Sequence, residues 1–465
     1  RQILAEQYGL QPIAVSIFSP DTYYLHMVLQ IGDEAQLLFP SGDLSEADVR
    51  TTIESALKRA SSGFLKVVGM WIPPNQPTQN AFGQQQPSLK QYNRVIEQLR
   101  QEYTVQPVDL STGQVPPNVD VLVVIAPQMM SDVERYGIDQ FLMRGGAVIA
   151  SAGNYNLSID EATGSLAVEP IENGLREMLE SYGVTVEQSL VLDPQNEPFP
   201  QPVTRDLGNG LQVQEVQALN YPMFVDIRTD GMDQESPILA SLPAITVNWA
   251  SPITVDDAKN SGRQVSTLLR SSPGSWLRTD LNIQPDPALY PELGFPVEGT
   301  PTSYPLAVSV QGVFESAFKG QPSPLEAAAQ TQDATQPAAV PTNNIGTIEN
   351  SPDTARLVVI SSAEFLNDIV FDISTSLDPN RYLNTLQFIQ NTVDWSVEDL
   401  DLLTIRSRGT ASRVLVDLTE QQRSFWEGAN YVAALLVLIG IGFLWRAQQK
   451  SEEPMELLPP EEVGY

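Results

Sequence analysis

An uncharged run from Gly428 to Trp445 (GANYVAALLVLIGIGFLW), followed at once by Arg446 and Lys450, constrains this chain more than any other stretch. As a helix rising about 1.5 Å per residue it reaches roughly 27 Å, close to the hydrocarbon thickness of a bilayer. The competing reading, a buried core helix, fits less well because every face is apolar and Tyr431 and Trp445 sit near the two ends, where interfacial aromatics belong. The expected structure is a membrane span over 423–446 anchored by Tyr431, Trp445 and Arg446. Cations follow it directly, whereas Arg423 on the preceding flank is offset by Glu427, so the positive-inside rule places the tail, 447–465, in the cytoplasm. The large preceding portion is then extracytoplasmic. Arg406, Arg408 and Arg413 lie farther upstream and reduce that charge bias.

The rest of the chain has the composition of a folded protein. With 465 residues, 42% hydrophobic and 18% charged, it has room for two or three domains with substantial cores. A balance of 26 basic against 57 acidic residues gives a net charge of −31, which repels phosphate backbones and rules against nucleic-acid binding. There is no cysteine, which fits an extracytoplasmic location and excludes disulfides and thiolate metal sites. The chain begins at Arg1 with neither an initiator methionine nor a signal peptide, so an upstream portion carrying an export signal or an earlier span is expected.

Residues 1–62 read as an N-terminal α+β segment: extended stretches over 11–40, then a helix capped by Ser45. From 63 to 260 strand and helix alternate. FLKVVGMWI (64–72), VDVLVVIA (119–126) and AVIA (147–150) are strand candidates, and the last two are apolar enough to be buried on both faces. Between them Leu89, Tyr92, Ile96, Leu99 and Tyr103 mark one amphipathic helix and 131–143 another, ending at Arg144-Gly145-Gly146. That alternation predicts a parallel sheet. A further helix is expected around Leu175, Met178 and Leu179, ended by Gly183. Residues 193–300 read as irregular. A second α/β portion, 261–422, contains strands in 304–318 and 356–361, an amphipathic helix over 382–395, and a low-complexity segment, 321–353, expected to be a disordered loop.

Little in the sequence offers chemistry. His26 is the lone histidine and lies in an aromatic strand-like run, which suits packing better than catalysis. Ser151 in Ala150-Ser151-Ala152-Gly153 lacks the leading glycine of a nucleophile elbow. Asp256-Asp257 and Asp399 with Asp401 fall in polar segments and read as solvated surface. No phosphate-loop motif exists, so the chain is not an ATPase. Neither a catalytic residue nor a cofactor nor a metal is assigned. The proline- and glutamine-rich stretch from Pro73 to Pro87 follows a strand's carboxyl end, where α/β ligand sites lie. Pro73, Pro74, Asn75, Pro127, Gln128 and Ser131 are therefore the candidate ligand loop, with a solvated surface loop as the alternative.

VDVLVVIAP (119–127) followed by YGIDQFLMRGG (136–146) resembles the extracytoplasmic core of the GldG-type ABC-transporter auxiliary family. LAVSVQGVFESAF, RLVVISSAEFLND, the run from Asn384 to Trp395, DLLTIRSRG (401–409) and Leu418-Thr419-Glu420-Gln421 extend the resemblance over roughly 60–450. Ser151-Ala152-Gly153-Asn154-Tyr155 departs from the family's usual turn after the strand at 147–150. The resemblance implies an α/β fold with a parallel-sheet, flavodoxin-like or glutamine-amidotransferase-like core, additional α+β segments and one C-terminal transmembrane helix. It also implies partners: an ABC permease and its cytoplasmic ATPase in a bacterial cell membrane, with self- or hetero-association. Cysteine chemistry of the fold's enzymatic relatives is absent, so the expected role is a non-catalytic ligand-binding or gating subunit. An envelope or motility-machinery scaffold without a transport role and a carboxylate-dependent hydrolase are the alternatives.

Overall fold

The computed structural model describes residues 65–74 and 89–397, apart from 161–162, 207–211, 241, 326–345 and 379–380, with a helix at 420–451 and, before residue 87, short strands and two helical positions. The chain divides into two compact units, Arg1–Ser412 and Arg413–Tyr465.

The first unit is built on a seven-stranded sheet. Its strands are β1 (Val67–Trp71), β2 (Thr104–Pro107), β3 (Val121–Ile125), β4 (Ala147–Ser151), β5 (Gln264–Arg270), β6 (Pro305–Gln311) and β7 (Arg356–Ile360), in the order β5-β6-β7-β4-β3-β1-β2. Strands β2, β1, β3, β4 and β7 are parallel; β6 is antiparallel to β7, and β5 is antiparallel to β6. The sheet is therefore mostly parallel, as the alternation predicts, with one reversed strand. Strands from the expected second α/β portion hydrogen-bond into the same sheet as those from 63–260.

Both faces of the sheet are covered, and β3 shows why its sequence is continuously apolar. Val121, Val123 and Ile125 join one core with Val95 and Leu99 of α1 (Asn93–Arg100) and Phe388, Ile389 and Val393 of α5 (Arg381–Ser396). Leu122 and Val124 join the opposite core with Ile138 and Leu142 of α2 (Asp132–Met143) and Leu179 of α3 (Arg176–Ser181). All five β3 side chains are fully buried, each stabilising by about 1.5–3 kcal/mol. Helix α4 (Asp368–Thr375) follows β7 after a short loop.

Residues 193–300 are not irregular. They carry antiparallel pairs, including Phe199–Asp206 with Gln212–Leu219 and Phe224–Arg228 with Ala244–Asn248, while Leu190–Leu192 reaches forward to Trp276–Arg278. Three-residue strands paired across long sequence separations leave no local periodicity, and the prolines at 200 and 202 disguise the longest hairpin in the sequence although its register runs through them unbroken. Tyr221, Phe224, Trp249, Trp276 and Phe295 form a third, aromatic core there. The expected disordered loop lies mostly outside the described residues, but its end is fixed: Ile348 N–H donates to Gln140 Oε1 at 2.9 Å. The helix after Ser45, except Val49 and Ile53, lies outside the described residues, as do His26, Asp399 and 401–409.

In the second unit α6 (Glu420–Ser451) contains an apolar stretch, Ser424–Arg446, long enough to cross a membrane. Tyr431, Leu436, Phe443 and Trp445 all lie exposed on it.

Candidate functional site

The chain leaves β1, passes outward to β2 and returns on the other side to β3, so the strand order reverses between β1 and β3. Loops leaving the carboxyl ends of two such strands diverge and open a crevice. Lys90, between β1 and α1, donates from Nζ to Oε1 of Gln128, in the loop after β3, at 2.7 Å. Glu364, in the loop after β7, is a buried acid of this region. It is completely buried, with Oε1 accepting the Leu157 N–H at 2.9 Å and Oε2 accepting Asn367 Nδ2 at 2.7 Å.

Burial pushes the Glu364 carboxyl above its ordinary range, although the Asn367 and Leu157 hydrogen bonds and the Lys90 charge pull it back. Burial also lowers the Lys90 ammonium, against the charges of Glu364 and Glu169. Tyr92 is the N-cap residue of α1 and is 3% exposed. Its hydroxyl has no hydrogen-bond partner among the described residues. Burial, then the charges of Glu364 and Asp368, hold it well above the usual tyrosine range, so it stays a protonated donor.

The backbone around Gln128 is strained and locked. Ala126 (φ 47°) and Met129 (φ 52°) occupy the left-handed region that residues other than glycine and asparagine avoid, and Asn173 (φ 49°) lies there as well. Three hydrogen bonds hold them, from Ala126 N–H to Ser151 O at 3.0 Å, from Met129 N–H to Glu172 O at 2.8 Å and from Met130 N–H to Asn173 O at 2.7 Å. Such conformations cost on the order of 1–3 kcal/mol each and cluster at functional sites. Met129 is 61% exposed at the rim.

Of the residues singled out from sequence, Gln128 is brought to Lys90, and Pro127 is buried beside it. Pro73 is buried and Pro74 exposed after β1, while Asn75 lies outside the described residues. Ser131 is the N-cap of α2: its Oγ accepts Glu134 N–H at 3.2 Å, and its own N–H donates to Glu134 Oε2 at 2.8 Å. Ser151 is buried and donates to Ser362 O at 2.6 Å, and Asp256 accepts the Ala258 N–H on the surface. Among the described residues no group of three His, Cys, Asp or Glu side chains could hold a metal. Sequence reasoning missed Lys90, Glu364 and Asp368 as site residues and took Tyr92 only as a helix-face residue. The available signal was a glutamate directly beyond a buried strand, followed by the Asn367-Asp368 capping pair.

A family profile described as an ABC-type uncharacterized transport system matches residues 80–397, more than half of the chain and all of this crevice from Lys90 onward. An uncharacterized protein of Borreliella burgdorferi is 20% identical over 220 residues, which is 47% of this chain and 41% of that protein, so less than half of that relative's length is matched. Among solved structures, the mmIFT52 N-terminal domain is 10% identical at a TM-score of 0.35, covering 71% of this chain and 97% of that one. A putative thua-like protein from Bacteroides uniformis is 11% identical at a TM-score of 0.32, covering 72% of this chain and 93% of that one. At those scores neither likeness carries an argument.

Proposed function

We propose, because this chain belongs to the auxiliary family of ABC-type uncharacterized transport systems, that it is a non-catalytic, membrane-anchored subunit whose α/β unit captures or gates a ligand beside an ABC permease and its ATPase. The observation that carries the ligand reading is the Lys90–Gln128–Glu364 cluster where the strand order reverses, with a strained loop presenting Gln128. Buried titratable groups at the carboxyl ends of parallel strands are the usual composition of an α/β binding crevice. The order β2-β1-β3-β4-β7 supports the flavodoxin-like reading of the core, and the quoted motifs support GldG-type membership. Anchoring rests on the Ser424–Arg446 stretch, and Arg446 at its end favours an extracytoplasmic α/β unit with a cytoplasmic tail.

Purification of the full chain from native membranes tests the assembly. A permease and an ATPase are expected to co-purify; recovery without either sinks the transport assignment. Lys90→Ala tests the crevice, since it should leave that assembly intact while abolishing its transport phenotype.

A further inference from the structure

We propose that the crevice between β1 and β3 recognises an uncharged polar ligand and excludes anions such as phosphate, with Asp368 as the excluding group and the Tyr92 hydroxyl as a hydrogen-bond donor to the ligand. This rests on the reading that the crevice binds a ligand and adds its chemical class.

In an open α/β sheet the helix following the first strand presents unpaired N–H groups and a positive dipole end to an anionic ligand. Here that position is filled from within the chain. Asp368 Oδ2 accepts Asn93 N–H at 2.9 Å and Asn93 Nδ2 at 3.1 Å, and Oδ1 accepts Arg94 N–H at 3.1 Å. Asp368 is itself held, its N–H donating to Gln91 O at 2.8 Å. An incoming phosphate would meet this carboxylate and the fields of Glu364 and Glu169. Lys90 is one cation against these three carboxylates, and its ammonium already donates to Gln128 Oε1.

The Tyr92 hydroxyl points to what is accepted. A buried hydroxyl with no partner among the described residues is costly, and this one stands at the start of α1 between Lys90 and the Asp368-bound N–H groups. An amide carbonyl or an alcohol oxygen would satisfy it without adding charge among Asp368, Glu364 and Glu169.

The test uses the full-length protein in detergent with 3-fluorotyrosine placed at position 92, titrated with acetamide and separately with inorganic phosphate while the fluorine resonance is followed. Acetamide is expected to shift the resonance saturably and phosphate to leave it unmoved; in Asp368→Asn, phosphate should shift it too. Saturation-transfer measurements on unlabelled Tyr92→Phe should show acetamide binding weakened about fivefold or more. Saturable phosphate binding in the unsubstituted protein overturns the proposal while leaving a ligand site standing. A resonance that answers neither probe, with or without Asp368→Asn, overturns both the proposal and the capture reading.

Discussion

The carboxylate of Asp368, first residue of α4, accepts the main-chain N–H of Asn93, 275 positions earlier, so one helix is capped by the start of another. It also accepts the Arg94 N–H, satisfying two of the donors that α1 leaves unpaired at its N-terminus. Asp368→Ala should cost about 1–2 kcal/mol of stability, and Asp368→Asn less, measured as shifts of the urea midpoint at unchanged slope.

Glu364 makes stability depend on pH in a defined direction. Burial raises its carboxyl above the unfolded value, so its contribution is whole below the ordinary carboxylate range and is lost as pH rises through the raised folded value. The thermal midpoint should therefore fall with rising pH across that window. Glu364→Gln should remove part of the slope; Asp139, raised by burial in the same sense, keeps the remainder. A variant whose midpoint retains the full slope would show that Glu364 is not its source.

Arg381 joins two buried acids. Its guanidinium pairs with Glu197 at 3.1 Å and with Asp226, which also pairs with Arg228 at 2.6 Å. Burial opposes the Arg381 charge, but Asp226 and then Glu197 more than restore it. Arg381→Ala leaves their charges undercompensated and should cost about 3–5 kcal/mol. Arg381→Ala combined with Glu197→Gln should recover part of that loss in denaturant titrations.

Gly153 permits the closest approach of two site loops. A Cβ there would stand 2.5 Å from Ala363 N and 2.9 Å from the Ser362 Cα, backbone atoms that cannot retreat singly. Gly153→Ala should cost about 3 kcal/mol, near the upper end of overpacking penalties, and displace Glu364. Calorimetry gives the cost, and loss of Glu364's share of the pH slope reports the displacement.

Leu436 lies near the middle of Ser424–Arg446. Leu436→Lys should penalise membrane insertion by about 3 kcal/mol and shift the chain from the pellet to the supernatant on alkaline carbonate extraction. Leu436→Ala should stay in the pellet.

What the sequence made legible follows from the range of the interactions. Strands β3, β4 and β7 are buried on both faces and so spell continuous apolar runs, and α2 announces itself through Ser131 and Glu134. The short strands Leu190–Leu192 and Trp276–Arg278 were invisible because each finds its partner far along the chain. The site behaved likewise. Gln128 was accessible from its position beyond β3, whereas Lys90, Tyr92 and Glu364 acquire meaning only when the reversal of strand order brings three loops together.

The placement of β7 has a kinetic consequence. It lies between β6 and β4, pairing Ala147 with Arg356, yet it is the last strand of the sheet to be synthesised. Until it arrives, β4 presents an unpaired hydrophobic edge, the kind of surface that recruits other chains. Closure of the sheet waits on a contact of very high sequence separation, which slows folding. Nearly the whole of the first unit must therefore be synthesised before the centre of its sheet can be completed.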